Sequence, residues 1–141
     1  RIAELHLENR VTLTGGLPHE EVLRRMAQSD LFVLPSWGEG YGIVYIEAMA
    51  AGCIAVGAEN EGIADTITDG ENGFLVPAGD TDAVERVMRA VFAHPEAYEA
   101  LRARGMRDAR ELTWAHNAEI TAGVYREAME HWRKEHAQAG H

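Results

Sequence analysis

Residues 32–56 read FVLPSWGEGYGIVYIEAMAAGCIAV, and the alternation of elements in this stretch decides the fold. The apolar run LFVLP over residues 31–35 predicts a buried strand, and Gly38, Gly40 and Gly42 predict a turn. Residues 42–51 predict a short apolar helix, and CIAV over residues 53–56 a second buried strand. A strand, turn, helix, strand unit joins parallel strands through a crossover helix. The fold class expected is therefore α/β, Rossmann-like, with a parallel sheet and flanking helices.

Glu39 and Glu47 are the only acids in those residues, and each stands where a purely structural chain would carry something apolar. Glycine on both sides of Glu39 lets the backbone approach a ligand closely. The helix that follows opens with free amides and the positive end of its dipole, an arrangement that holds anions. A phosphate is the expected guest on residues 40–43. Glu47 stands about 7 Å further along the helix axis, with its side chain leaning back toward the N-terminus. Its two acceptor oxygens suit paired hydroxyls of a polyol. Taken singly, Glu39 also reads as a solvated turn residue and Glu47 as a helix acid reaching the rim; with the glycines, the two together read as a site.

Pro35-Ser36, Glu39-Gly40-Tyr41-Gly42, Glu47-Ala48-Met49-Ala50 and Gly52 resemble the signature of the family-four glycosyltransferases, retaining enzymes of the GT-B fold that use nucleotide sugars. The two glutamates match that family's motif of Glu, seven residues, Glu, and the resemblance runs over residues 11–113. It implies that Glu39 is the catalytic-site residue contacting donor-sugar hydroxyls. It further implies that the amides of Gly40, Tyr41, Gly42 and Ile43 hold the sugar and diphosphate, that Glu47 takes the ribose hydroxyls, and that Gly16 and Leu17 touch the base through the backbone. The substrate implied is a nucleoside diphosphate sugar, with no metal or other cofactor. The chain departs from the pattern at Cys53, where proline is usual, and at Glu59-Asn60-Glu61-Gly62-Ile63, where a Gly-Gly loop is commoner.

The 141 residues fit one domain with room for a core, and 46% apolar with 26% charged residues excludes disorder. A formal net charge of −10 and the lack of a basic cluster with interleaved aromatics argue against a nucleic-acid partner. The single cysteine, Cys53, excludes an internal disulfide and reads as a packed thiol. No segment reads as a signal or a membrane span, so a cytoplasmic protein is expected, with peripheral membrane contact left open.

Residues 1–8 (RIAELHLE) have helical spacing without a cap and read as the end of a helix, and residues 11–14 (VTLT) read as a strand closed by Gly15-Gly16. Pro18 opens a helix with Val22, Leu23, Met26 and Ala27 on one face, and His19 reads as a solvent-facing first-turn residue. Residues 62–68 give one or two helical turns, and Phe74-Leu75-Val76 is a fourth strand stopped by Pro77. Asp80-Thr81-Asp82 could hold a divalent metal but is better read as a helix cap. Further helices follow over residues 96–112, with Arg102, Arg104, Arg107 and Arg110 on a solvated face, and over residues 114–137, capped by Thr113. One partial nucleotide-sugar-binding domain is thus expected over residues 1–141, with about four strands and C-terminal helices from residue 81 onward.

Other classes lack their residues. Lys134 is the only lysine, so no phosphate-binding loop ends in Lys-Ser or Lys-Thr, and neither Ser29 nor Ser36 sits in a Gly-x-Ser-x-Gly elbow. Gly38, Gly40 and Gly42 do not give the Gly-x-Gly-x-x-Gly of a dinucleotide oxidoreductase. The expected function is donor binding for retaining sugar transfer by the C-terminal lobe of a longer, N-terminally truncated GT-B enzyme, inactive as a fragment. The acceptor, a sugar or a lipid, would belong to the missing N-terminal lobe. The alternative is a non-catalytic nucleotide-binding or assembly module on the same fold. If the sheet has strand order 3-2-1-4-5-6, two strands are missing beside residues 31–34, which become an edge, and the isolated chain is expected to self-associate.

Overall fold

A computed structural model of the chain describes residues 1–38, 40 and 42–138. Three parallel strands form one sheet in the order β1 (Leu31–Val33), β2 (Ile54–Ala58), β3 (Phe74–Val76). Leu31 stands opposite Ile54, Val56 opposite Phe74, and Ala58 opposite Val76. Among the described residues five helices accompany them: α1 (His19–Met26), α2 (Ile43–Ala51), α3 (Thr81–Ala93), α4 (Glu99–Glu111) and α5 (Trp114–Gln138). Single 3-10 turns occupy Gly62–Asp65 and Pro95–Tyr98.

Strand β2 is buried along its whole length, as a central strand covered on both faces must be. Its side chains alternate. Ala55 packs with Tyr45 and Met49 of α2, whereas Ile54 packs with Val91 of α3 and Leu101 of α4, and Val56 with Val76 and Ala83. Helix α2 carries almost no polar surface and is held by burial, with Tyr45, Ala48 and Met49 inside. Removing a side chain such as Met49 from water is worth about 1.5–3 kcal/mol. Ala48 and Cys53 meet Met26 of α1, and the Cys53 thiol donates to the Met26 carbonyl at 3.0 Å. Burial raises the pKa of that thiol, so Cys53 is packing rather than a nucleophile.

Several sequence expectations change. Residues 11–14 form no strand; Val11 and Leu13 are exposed, and the sheet makes no ladder with them. The sheet therefore has three strands among the described residues, not four. Residues 14–17 and strand β1 instead both line a groove of about 310 Å³. Residues 1–8 fold as successive turns, with Leu5 N–H donating to Arg1 O and Leu7 N–H to Ile2 O, because too few apolar contacts hold a helix there. The second strand runs to Ala58, two residues beyond the expected end, and the helix expected over 96–112 is a 3-10 turn followed by α4.

Of the arginines expected on a solvated face, Arg104, Arg107 and Arg110 are exposed and Arg102 is half-buried, and Arg102 and Arg104 also make ion pairs. Arg102 reaches Asp30 at 3.2 Å, and Arg104 reaches Glu71 at 2.5 Å and Asp108 at 3.7 Å. Asp108 also accepts from buried Asn72, whose Oδ1 takes the Thr68 N–H at 2.8 Å, so the loop before β3 is tied to α4. Asp80 caps α3, its carboxylate accepting from Ala83 N–H at 2.9 Å.

Candidate functional site

Ligands of open parallel α/β sheets bind beyond the carboxyl ends of the strands, and here three loops converge there. Residues 34–42 leave β1, residues 59–65 follow β2, and residues 77–80 follow β3. Gly38 N–H donates to Glu61 Oε1 at 3.0 Å, joining the first loop to the second. A Cβ added to Gly79 would lie 3.0 Å from the Trp37 ring, so Trp37 rests on the third loop while staying largely exposed. Ser36 Oγ is buried with no partner among the described residues, a polar atom left for a ligand or water to satisfy.

Helix α2 begins at this junction. Gly42, its N-cap, has φ 71°, a left-handed conformation, and offers no side chain to cap the helix; the first turn contains no acid either. Tyr45 N–H is taken by the Gly42 carbonyl at 3.0 Å, and the two amides before it, of Ile43 and Val44, have no side-chain cap and stand at the positive end of the helix dipole, where an external anion can be received. A side chain at Gly42 would also be blocked from below, since a Cβ there would lie 2.8 Å from the Tyr45 ring. Tyr45 is itself fixed: its hydroxyl donates to the Leu34 carbonyl, and its ring meets Phe32 edge-on at 5.5 Å. The core thus holds up the floor of the turn. Ile43, the first residue of α2, is 55% exposed and lines an apolar hollow with Ile46, Leu112 and Trp114.

One turn further, Glu47 sits at the rim with 29% of its side chain exposed, and its Oε1 lies 3.4 Å from His19 Nε2. The packing of α1 on α2 through Val22, Leu23, Met26 and Val44 brings His19 there. Leu17 and Gly16 immediately precede α1, Leu17 half-buried and Gly16 exposed. Gly40, Gly42, Ile43 and Glu47 therefore share one turn and helix, and Gly16 and Leu17 lead into the helix that touches Glu47. Glu39 and Tyr41 lie outside the described residues. Reading the sequence missed two participants, His19 and Glu61. His19 carried no signal beyond its first-turn position, whereas Glu61 stood in a loop already marked as a departure from the resembled pattern. Among the described residues no group of three metal-ligating side chains is gathered, and no helix is long and apolar enough to cross a membrane.

Residues 1–108 match the family described as glycosyl transferases group 1. The D-inositol 3-phosphate glycosyltransferase of Nocardia farcinica is 30% identical over 138 residues, which is 98% of this chain and 30% of that protein. Among solved structures, sucrose-phosphate synthase from Thermosynechococcus elongatus superposes with TM-score 0.78 at 29% identity, over 92% of this chain and 33% of its own. The Anabaena protein HepE, solved in complex with UDP-glucose, superposes with TM-score 0.76 over 89% of this chain and 35% of its own; at 24% identity that likeness concerns the fold. This chain spans about a third of the length of these relatives. The parallel sheet with its flanking helices is that of the GT-B glycosyltransferases, and the chain belongs to the group 1 glycosyltransferase family.

Proposed function

We propose that this chain is the C-terminal, donor-side lobe of a retaining glycosyltransferase and binds a nucleoside diphosphate sugar at the carboxyl end of β1. The observation that carries the reading is the uncapped start of α2 behind left-handed Gly42, with Glu47 one turn along at the rim. A diphosphate on the amides of Gly40, Tyr41, Gly42 and Ile43 places the ribose beside Glu47 and the base toward Gly16 and Leu17. The donor sugar then lies at Glu39, which orients its hydroxyls. The leaving diphosphate gains negative charge as the glycosidic bond breaks, and preorganised amides stabilise that charge without having to reorganise. The protein's share of the chemistry is thus positional and electrostatic. No metal has a role in this reading, and Asp80 is already committed to capping α3.

Transfer also needs an acceptor, a sugar or a lipid, and we assign its binding to a second lobe outside these residues. On this reading the chain alone transfers no sugar and works in the cytoplasm, at a membrane surface if the acceptor is a lipid. Calorimetric titration with UDP, ADP and GDP tests the binding: one nucleoside diphosphate should bind saturably at one site. Incubation with labelled nucleotide sugars and candidate acceptors tests the second part. Binding without transfer supports the reading, absence of binding to any of the three overturns it, and robust transfer overturns the need for a second lobe.

A further inference from the structure

The first amide of the glycine turn already carries an anion, since Gly38 N–H donates to Glu61 Oε1 across 23 residues of sequence. Glu61 is held in place to receive it. The chain leaves β2 at Ala58 and reverses through Asn60, whose φ of 64° is a left-handed conformation that asparagine tolerates. Two residues after Glu61, Ile63 is fully buried in the cluster that contains Tyr45. The carboxylate is therefore suspended between a central strand and a core side chain. Gly38 has φ 75°, so the turn it opens is one that glycine allows and does not enforce.

A carboxylate on a backbone N–H makes a charge-assisted bond, the same contact that a phosphate oxygen would make. Seated on Gly38, it does two things at once. It pins the turn against β2, and it fills the first amide so that an incoming anion is received further along, at Gly40, Gly42 and Ile43. Its negative charge also faces that anion. Across one or two residues of the turn this repulsion acts inside the ~8 Å screening length of physiological salt, so it opposes the gain from the pinned turn.

We propose that Glu61 is a positioning residue for the anion site, an internal anion that holds the glycine turn and sets which of its amides a diphosphate takes. The proposal rests on the donor-lobe reading above, and its test separates the two. The wild-type chain, Glu61→Gln and Glu61→Ala are compared by UDP titration calorimetry and by amide hydrogen exchange at Gly38 without ligand, with far-UV circular dichroism showing that each variant is folded. In Glu61→Ala, exchange at Gly38 should quicken by about tenfold, and the Kd for UDP should rise by about tenfold. Glu61→Gln keeps an oxygen acceptor and should recover most of both. A Glu61→Ala chain with unchanged Gly38 exchange overturns the proposal. So does tighter UDP binding in both variants, which would make Glu61 a repelling charge. A wild-type chain that binds no UDP while Gly38 exchange responds as expected overturns the UDP reading of the site and leaves the pinned turn supported.

Discussion

His19 Nε2 lies 3.4 Å from Glu47 Oε1, joining the first residue of α1 to the middle of α2 at the rim of the site. The imidazole is 65% exposed, so the contact is cheap to lose and its main effect is on where the carboxylate points. Glu47→Ala should weaken nucleoside diphosphate binding by about 1–3 kcal/mol, the scale of a lost charged hydrogen-bond partner. His19→Ala should cost less, about 0.5 kcal/mol, and a double-mutant cycle should give a coupling below about 1 kcal/mol. Unchanged affinity in Glu47→Ala would remove the ribose assignment.

Gly42→Ala tests the floor of the turn. The substitution places a Cβ in a left-handed conformation, worth about 1–2 kcal/mol, and 2.8 Å from the Tyr45 ring, which the Leu34 carbonyl and Phe32 keep from moving aside. A total destabilisation of about 2–5 kcal/mol is expected from urea unfolding, summing the strain and overpacking costs. Gly40→Ala, with nothing within 4 Å of its Cβ, is the control and should cost much less. Equal losses in the two variants would mean that the turn is not seated on Tyr45.

The elements that could be read from sequence are those whose signal is local. The run over residues 31–35, the glycines before α2, the Pro77 stop and the Asp80 cap each act within a few residues; the structure has them, although the first strand is half-buried and ends at Val33, two residues short of the expected bound. Residues 11–14 show the opposite case: their β-branched composition is right for a strand, yet a strand exists only against a neighbour, and Leu13 is 82% exposed. The contacts of Glu61 with Gly38 and of His19 with Glu47 were equally hidden, because they depend on how loops and helices far apart in sequence pack on the sheet. Glu47 could be found because a carboxylate inside an otherwise apolar helix is anomalous on its own.

Acid should act on α1 through Glu21. Its carboxylate accepts from Arg24 Nη2 at 2.7 Å and Nε at 2.8 Å and from Arg25 Nε at 2.9 Å, and these bonds, Arg24 first, lower its pKa from the ordinary 4.5 to about 2. A carboxyl whose pKa is lower in the folded state stabilises the fold above its unfolded value and loses that contribution as pH falls through the folded value. The contribution is therefore intact above pH 4.5 and disappears toward pH 2. Carboxyl carbon NMR should find the Glu21 midpoint near 2, and Glu21→Gln should flatten that part of the acid unfolding profile. A midpoint near 4.5 would mean that the arginine bonds do not persist in solution.

Among the described residues strand β1 pairs with β2 alone, and its Leu31 and Phe32 line a groove with Thr14, Gly15 and Leu17. An unpaired edge is a template for another strand. The isolated chain should therefore self-associate, most simply as a two-fold dimer. Light scattering at micromolar concentration should give about twice the 15.5 kDa of the chain. Glu or Lys in place of Leu31 should return it to monomer, whereas a wild-type monomer would show the edge to be protected.

The central claim is that the open start of α2 receives a nucleoside diphosphate, and amide chemical shifts of the 15N-labelled chain during a UDP titration test it most directly. The predicted result is saturable movement of the Gly40, Gly42 and Ile43 amides, with smaller changes at Glu47 and Leu17. Shifts confined to the apolar hollow around Leu112 and Trp114, or none at millimolar UDP, would contradict it.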